Sequence, residues 1–201
     1  MENAKLTPQL VMRRPVLRAL PKVELPDGYP LRSFKPGDET GWEKIIAVTF
    51  ETDAFVFDKA MKADPAFRPE RVWFITAGGK PVATASAWRK DRFGPNTGYL
   101  HMVGVLPGHQ GKHLGYWVSL AVMHQFVREG RVDAVLETDD YRIPAIKTYL
   151  KMGFEPLLVH ENQRQRWRTI FQTISHPELE KEYDDILMGP VAMTEERKDD
   201  P

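Results

Sequence analysis

Leu100-His101-Met102-Val103-Gly104-Val105-Leu106-Pro107-Gly108-His109-Gln110-Gly111-Lys112-His113-Leu114-Gly115 is the stretch on which the reading of this chain turns. A β-rich run, Tyr99 to Val105, meets Pro107, which cannot continue a strand ladder. A polar turn carrying Gly108 and Gly111 follows. Then Leu114, Trp117, Val118, Ala121, Val122, Gln125 and Phe126 fall on one face of a helix that ends near Gly130. The first turn of a helix leaves N–H groups unpaired at the positive end of the macrodipole, so an anion is favoured there. Gly111 and Gly115 allow close approach of the backbone, and Lys112, with His113 beside it, adds positive charge. The spacing is neither a Walker loop nor the Gly-x-Gly-x-x-Gly of dinucleotide folds.

Working upstream, Pro30 to Phe34 reads as a short strand before the Lys35-Pro36-Gly37 turn. Asp38 stands where it would cap a helix whose Trp42, Ile45, Ile46 and Phe50 recur at helical spacing. Val72–Thr76 and Val82–Trp88 read as a hairpin across Ala77-Gly78-Gly79-Lys80-Pro81. Downstream, Val132–Glu137 has the composition of a buried strand. Asp139 and Asp140 are expected to cap a short helix that carries Pro144 near its start and stops at Gly153. Phe154–Val159 and Trp167–Ile174 are expected as two closing strands, and Arg164, Arg166 and Arg168, alternating along a strand, would share a face.

This order predicts an α/β domain: a mixed, mostly antiparallel central sheet of about six to seven strands with helices on both faces. Tyr99 to Glu137 should form a right-handed parallel crossover. Pro15, Pro21, Pro26 and Pro30 suggest an extended arm over residues 1–29, docked by Leu10, Val11, Val16, Leu17, Leu20 and Leu25. The domain itself is expected over 30–175, followed by a C-terminal extension, 176–201, disordered from Thr194 to Pro201.

Composition narrows the functional classes. The 201 residues hold 28 Lys plus Arg and 28 Asp plus Glu, so wholesale attraction to nucleic acid or an anionic membrane is not implied. The absence of cysteine removes disulfides, thiolate metal sites and cysteine nucleophiles. Six histidines without paired spacing point to no metal site. There is no run long enough to span a bilayer, and Met1-Glu2-Asn3-Ala4-Lys5 lacks a signal-peptide apolar region, so a cytoplasmic protein is expected.

Two signatures in order resemble the GCN5-related N-acetyltransferase superfamily. Val105-x-Pro107-x-x-Gln110-Gly111-Lys112-His113-Leu114-Gly115 is similar to that family's V-x-P-x-x-[RQ]-G-x-G-x-[GA], with His113 where glycine is usual. Arg142-x-x-Ala145-x-x-x-Tyr149-x-x-x-Gly153-Phe154 is similar to its N-x-x-A-x-x-x-Y-x-x-x-G-F, with Arg142 in place of asparagine.

The resemblance implies the acyl-CoA N-acyltransferase fold, with a splayed parallel strand pair and acetyl-CoA as co-substrate. Val103 and Val105 would then pair with pantetheine through their backbone. Gln110, Gly111, Lys112, His113, Leu114 and Gly115 would cradle the pyrophosphate. Arg142 would approach the CoA phosphates or fringe its helix. Tyr149 would be the general acid toward the CoA sulfur, or else a core aromatic. Glu137 would be the base, directly or through water, or a solvated strand end, with His101 as the other candidate. The implied reaction is transfer of an acetyl or short acyl group to a primary amine of a small molecule or peptide, by direct attack and without a metal. The acceptor would lie over the first helices, around Phe50 to Phe57, and near the last two strands, with Trp73, Trp88, Phe55 and Phe57 lining a pocket or filling the core. Members of this fold often pair as homodimers. The alternative is a catalytically silent acyl-CoA-binding member that acts as a sensor or interaction protein.

Overall fold

The structure is a computed structural model that describes residues 8–192. Its seven strands make a mixed sheet, mostly antiparallel with one parallel pair, and helices flank it. Two compact units divide the chain: one is Pro15–Ala134, and the other joins the residues up to Arg14 with those from Val135 onward.

In the first unit, β2 (Leu31–Ser33), β3 (Val72–Ala77), β4 (Lys80–Trp88) and β5 (Thr97–Val105) follow one another as antiparallel neighbours. The β3–β4 hairpin turns on Gly78 and Gly79, both at positive φ (55° and 80°), the two-residue geometry that twists with its strands. Helices α1 (Glu39–Phe50) and α2 (Leu114–Arg128) pack on this sheet. Gly98 admits the Phe126 ring of α2, and Gly104 admits Ile45 and Thr49 of α1. The two glycines face opposite sides of the sheet because β5 carries one extra residue between them. Thr84 pairs with Gly104 and Ser86 with His101, so Met102 and Val103 together stand opposite Ala85. Met102 takes a left-handed backbone (φ 50°) there, a β-bulge without glycine.

Asp38 does precede α1 but does not cap it. Its carboxylate takes both ends of the Arg32 guanidinium at 2.6 and 2.8 Å and the Lys35 N–H at 2.7 Å. A bidentate charged pair outcompetes one main-chain donor for the same oxygens. Phe57 is fully buried, stacked on Phe34 at 5.1 Å and edge-on to Trp42 at 5.2 Å, and Trp88 is buried too. Both are core rather than pocket lining.

The second unit holds β1 (Leu10–Arg14), which pairs antiparallel with β7 (Glu155–Leu157), and most of β6 (Asp133–Thr138). Thus Leu10, Val11 and Met12 are buried strand residues. Helix α3 (Ile143–Lys151) ends at Gly153 with φ 79°. The expected strand Trp167–Ile174 is instead the C-terminal part of helix α4 (Gln163–Thr173) and its cap residue Ile174. The buried positions Gln163, Trp167, Ile170, Phe171 and Ile174 recur every three to four residues, which no strand places on one side. Short helices α5 (Glu178–Glu182) and α6 (Asp184–Met188) follow. The disorder expected for Thr194–Pro201 lies outside the described residues.

Candidate functional site

The turn after β5 starts from a fixed point, because Leu106 donates its N–H to the Val82 carbonyl of β4 at 2.9 Å. Pro107–His109 makes a single tight turn, closed by the His109 N–H on Leu106 O at 2.9 Å and the Gln110 N–H on Pro107 O at 3.2 Å. The next main-chain bond runs from Trp117 to the His113 carbonyl at 3.1 Å. Between them, no main-chain carbonyl among the described residues receives the N–H of Gly111, Lys112, His113, Leu114 or Gly115. Among the described residues no side chain caps α2 either. A row of N–H groups at the positive end of a fifteen-residue helix, with residues 110–113 exposed, is built to receive an anion.

His113 is the N-cap of α2 at φ 55° and ψ 24°, the left-handed conformation that Gly111 also approaches at φ 77°. Histidine therefore holds a left-handed backbone that glycine would adopt freely, at a cost on the order of 1 kcal/mol. The exposed imidazole stands on that bend. Gly115 is less demanding, since a β-carbon there would sit 3.6 Å from Val105 in ordinary contact. Val103 and Val105 are half-buried and follow the bulge at Met102. Nothing in the local sequence announces that bulge.

In the second unit, Tyr149 projects from α3 with 8% of its surface exposed and its ring 6.0 Å from Phe154. Burial pushes its phenol up to about 12, against the pull of the Arg142 charge. The hydroxyl has no hydrogen-bond partner among the described residues. At neutral pH the group is a proton holder that can donate and cannot act as a base. Arg142 is the N-cap residue of α3; its guanidinium bonds Asp139 at 2.9 Å and the Tyr141 hydroxyl at 3.1 Å.

Asp139 and Asp140 do not cap α3. Asp139 accepts from Arg142 and from Gln9 at 3.1 Å, while Asp140 takes Arg166 at 2.6 Å. Arginine offers these carboxylates more donors than a helix end does. Arg164, Arg166 and Arg168 share no strand face, since they lie on α4 and meet Glu161, Asp140 and Glu180 respectively. Glu137 is half-buried within β6, and His101 packs between the rings of Trp88 and Tyr99 at 5.7 and 5.5 Å. One contact that sequence reading did not foresee joins the Tyr29 hydroxyl to Nδ1 of His109 at 3.1 Å. Among the described residues no group of three His, Cys, Asp or Glu is placed to hold a metal ion, and no helix is long and apolar enough to cross a membrane.

The family model described as "Acetyltransferase (GNAT) family" matches residues 42–154. Among similar proteins, the mycothiol acetyltransferase of Thermomonospora curvata is 32% identical over 159 residues, covering 75% of this chain and 52% of the relative. That of Pseudarthrobacter chlorophenolicus is 34% identical over 146 residues, covering 67% and 45%. The chain thus spans about half the length of the curated relatives it matches. A crystal structure of a GCN5-related N-acetyltransferase from Sphaerobacter thermophilus shares the fold, with a TM-score of 0.59 at 21% identity over 75% of this chain and 49% of that one. A GNAT-family acetyltransferase from Colwellia psychrerythraea gives a TM-score of 0.59 at 13% identity over 75% and 53%. Two sequence signatures, a helix start left open to an anion and a family match across more than half its length place this chain in the GNAT acetyltransferase family.

Proposed function

We propose that this protein is an acyl-CoA-dependent N-acetyltransferase, and the observation that carries the reading is the row of unpaired N–H groups from Gly111 to Gly115. Those donors fit a pyrophosphate, with Gln110, Lys112 and His113 at its edge and Gly111 leaving the backbone uncovered. The main chain of Val103, in the bulge, and of Val105, beyond it, is the proposed partner of pantetheine, and Arg142 a further candidate for the CoA phosphates. Acetyl-CoA supplies an acyl group already activated as a thioester. The protein has three tasks: holding that group in place, taking a proton from the attacking ammonium, and steadying the departing sulfur. Glu137 is proposed to accept the proton, directly or through water. Tyr149, held neutral by burial, is proposed to donate a hydrogen bond to the sulfur.

Because relatives are named mycothiol acetyltransferases, the acceptor panel begins with a thiol-bearing small-molecule amine of the mycothiol class, beside amino acids, polyamines and peptide amines. Purified protein is first titrated with CoA by calorimetry and then incubated with acetyl-CoA and each amine. Products are read by mass spectrometry, because a thiol-bearing acceptor obscures thiol release. An acetylated amine together with CoA binding supports the reading. Binding without turnover on any amine returns the silent acyl-CoA-binding alternative, and absence of CoA binding removes both.

A further inference from the structure

Residues 15–30 form neither helix nor strand, yet their course is anchored along its length. Leu17 is buried, and His124 of α2 donates Nε2–H to the Pro21 carbonyl at 2.9 Å. The Tyr29 N–H closes a turn on Pro26 at 3.2 Å, with Gly28 at φ 81°. The next carbonyl, that of Pro30, accepts the N–H of Thr76 in β3 at 3.0 Å. Tyr29 is therefore backed by the sheet on one side and by a closed turn on the other.

From that fixed position its hydroxyl bonds Nδ1 of His109 at 3.1 Å, and the two rings meet edge-on at 5.7 Å. His109 closes the Pro107–His109 turn immediately ahead of Gln110 and Gly111. That turn holds itself with two short-range bonds only, from His109 and Gln110. The Tyr29 hydroxyl, 80 residues away in sequence, makes the only side-chain hydrogen bond reaching Pro107–His113 from another part of the chain among the described residues. A short turn with so few internal bonds samples other shapes unless something outside it holds it.

We propose that Tyr29, acting through His109, is a positioning residue that keeps the turn in the shape presenting its N–H groups to a pyrophosphate. The proline-rich segment is then a brace for the cofactor turn as well as a cover for α2. This inference rests on the CoA-binding reading, and its test separates the two. CoA affinity is measured by calorimetry for the wild type, Tyr29→Phe, His109→Ala and the double variant. Tyr29→Phe keeps the edge-on ring and removes only the hydroxyl. It should weaken CoA binding by about three- to tenfold, the scale of one net hydrogen bond. In the His109→Ala background the same change should have less than about a twofold effect, because the path through His109 is already cut. Unchanged affinity in Tyr29→Phe, or an undiminished effect in the His109→Ala background, overturns the proposal. A lowered melting temperature with unaltered affinity makes Tyr29 structural only and equally overturns it. Failure of the wild type to bind CoA removes the functional reading first, and this proposal with it.

Discussion

Replacing Tyr149 by Phe separates a catalytic phenol from a core aromatic, because the two roles move activity and stability in different directions. A phenol pushed up to about 12 holds its proton roughly 3.5 decades more tightly than an ordinary thiol near 8.5. Complete transfer to a departing sulfur is therefore uphill by about 5 kcal/mol, and the useful contribution is a hydrogen bond to developing negative charge. Such a bond is worth about 1.5–3 kcal/mol, so turnover should fall by about 10- to 150-fold. CoA affinity should stay within about twofold, since the proposed cradle is main chain. Among the described residues the hydroxyl has no hydrogen-bond partner to lose, so stability should hold or rise by up to about 1 kcal/mol, a melting temperature higher by about 0–4 °C. The assays are steady-state turnover of a responsive amine, CoA calorimetry and thermal unfolding. Unchanged turnover, or a fall of more than about 3 °C with activity lost in proportion, would refute the acid role. The pH profile is a second check. The folded-state value lies above the ordinary 10, so the stability linked to this group is complete below about 10 and lost as pH climbs toward 12. Turnover should accordingly show no declining limb from this phenol between pH 8 and 10.

Gly98→Ala drives a β-carbon to within 2.6–2.7 Å of three Phe126 ring atoms, which should cost about 2–3 kcal/mol. Calorimetry should show a drop of about 4–12 °C, with at least about 1 kcal/mol regained by adding Phe126→Leu; strict additivity contradicts the contact. His113→Gly exchanges a left-handed strain of about 1 kcal/mol for a comparable loss of unfolded-state restriction, so melting should move by less than about 3 °C. CoA affinity should be kept or improved, and a large loss would make the imidazole a ligand. Burial raises Glu129, but the hydrogen bonds from Arg71 and Gln125 outweigh it and leave the carboxyl below its ordinary value. That stability is present above the ordinary 4.5 and is lost only as pH falls through the lower folded value. Arg71→Met should therefore cost about 1–3 kcal/mol and move acid unfolding to higher pH in urea titrations between pH 3 and 6. An unchanged acid limb argues against the pair.

Where the sequence misled, the error came from a local cue that stronger partners, near or far along the chain, overrode. Asp38, Asp139 and Asp140 carry the residue type of a helix cap, yet each carboxylate is claimed by an arginine. Arg32 is six positions from Asp38, but Arg166 is 26 from Asp140. Arg164, Arg166 and Arg168 fall at every second position, which suggests one face of a strand, and only the deeper period set by Gln163, Trp167, Ile170, Phe171 and Ile174 exposes the helix. Leu10–Arg14 was hidden by the prolines after it, although Leu10, Val11 and Met12 are buried strand residues paired with β7. A short apolar run cannot by itself tell a docked arm from a strand, because strand status depends on a partner more than 140 residues away.

What the sequence by itself determined is whatever short-range chemistry dictates. The stop at Pro107, the glycine-bearing turn, the amphipathic face of α2, the Gly78-Gly79 hairpin and the Gly153 helix end were all legible. Each rests on φ restrictions or periodicity within a few residues. The order of the two signatures was enough to point to the family. Only the tertiary structure decided that β5 carries a bulge at Met102, which turns Gly98 and Gly104 to opposite faces for α2 and α1. It alone showed that His113 keeps a glycine-like backbone and that Tyr29 reaches across to His109. Register, face and long-range hydrogen bonds depend on which distant segments meet, and no window of sequence contains both partners.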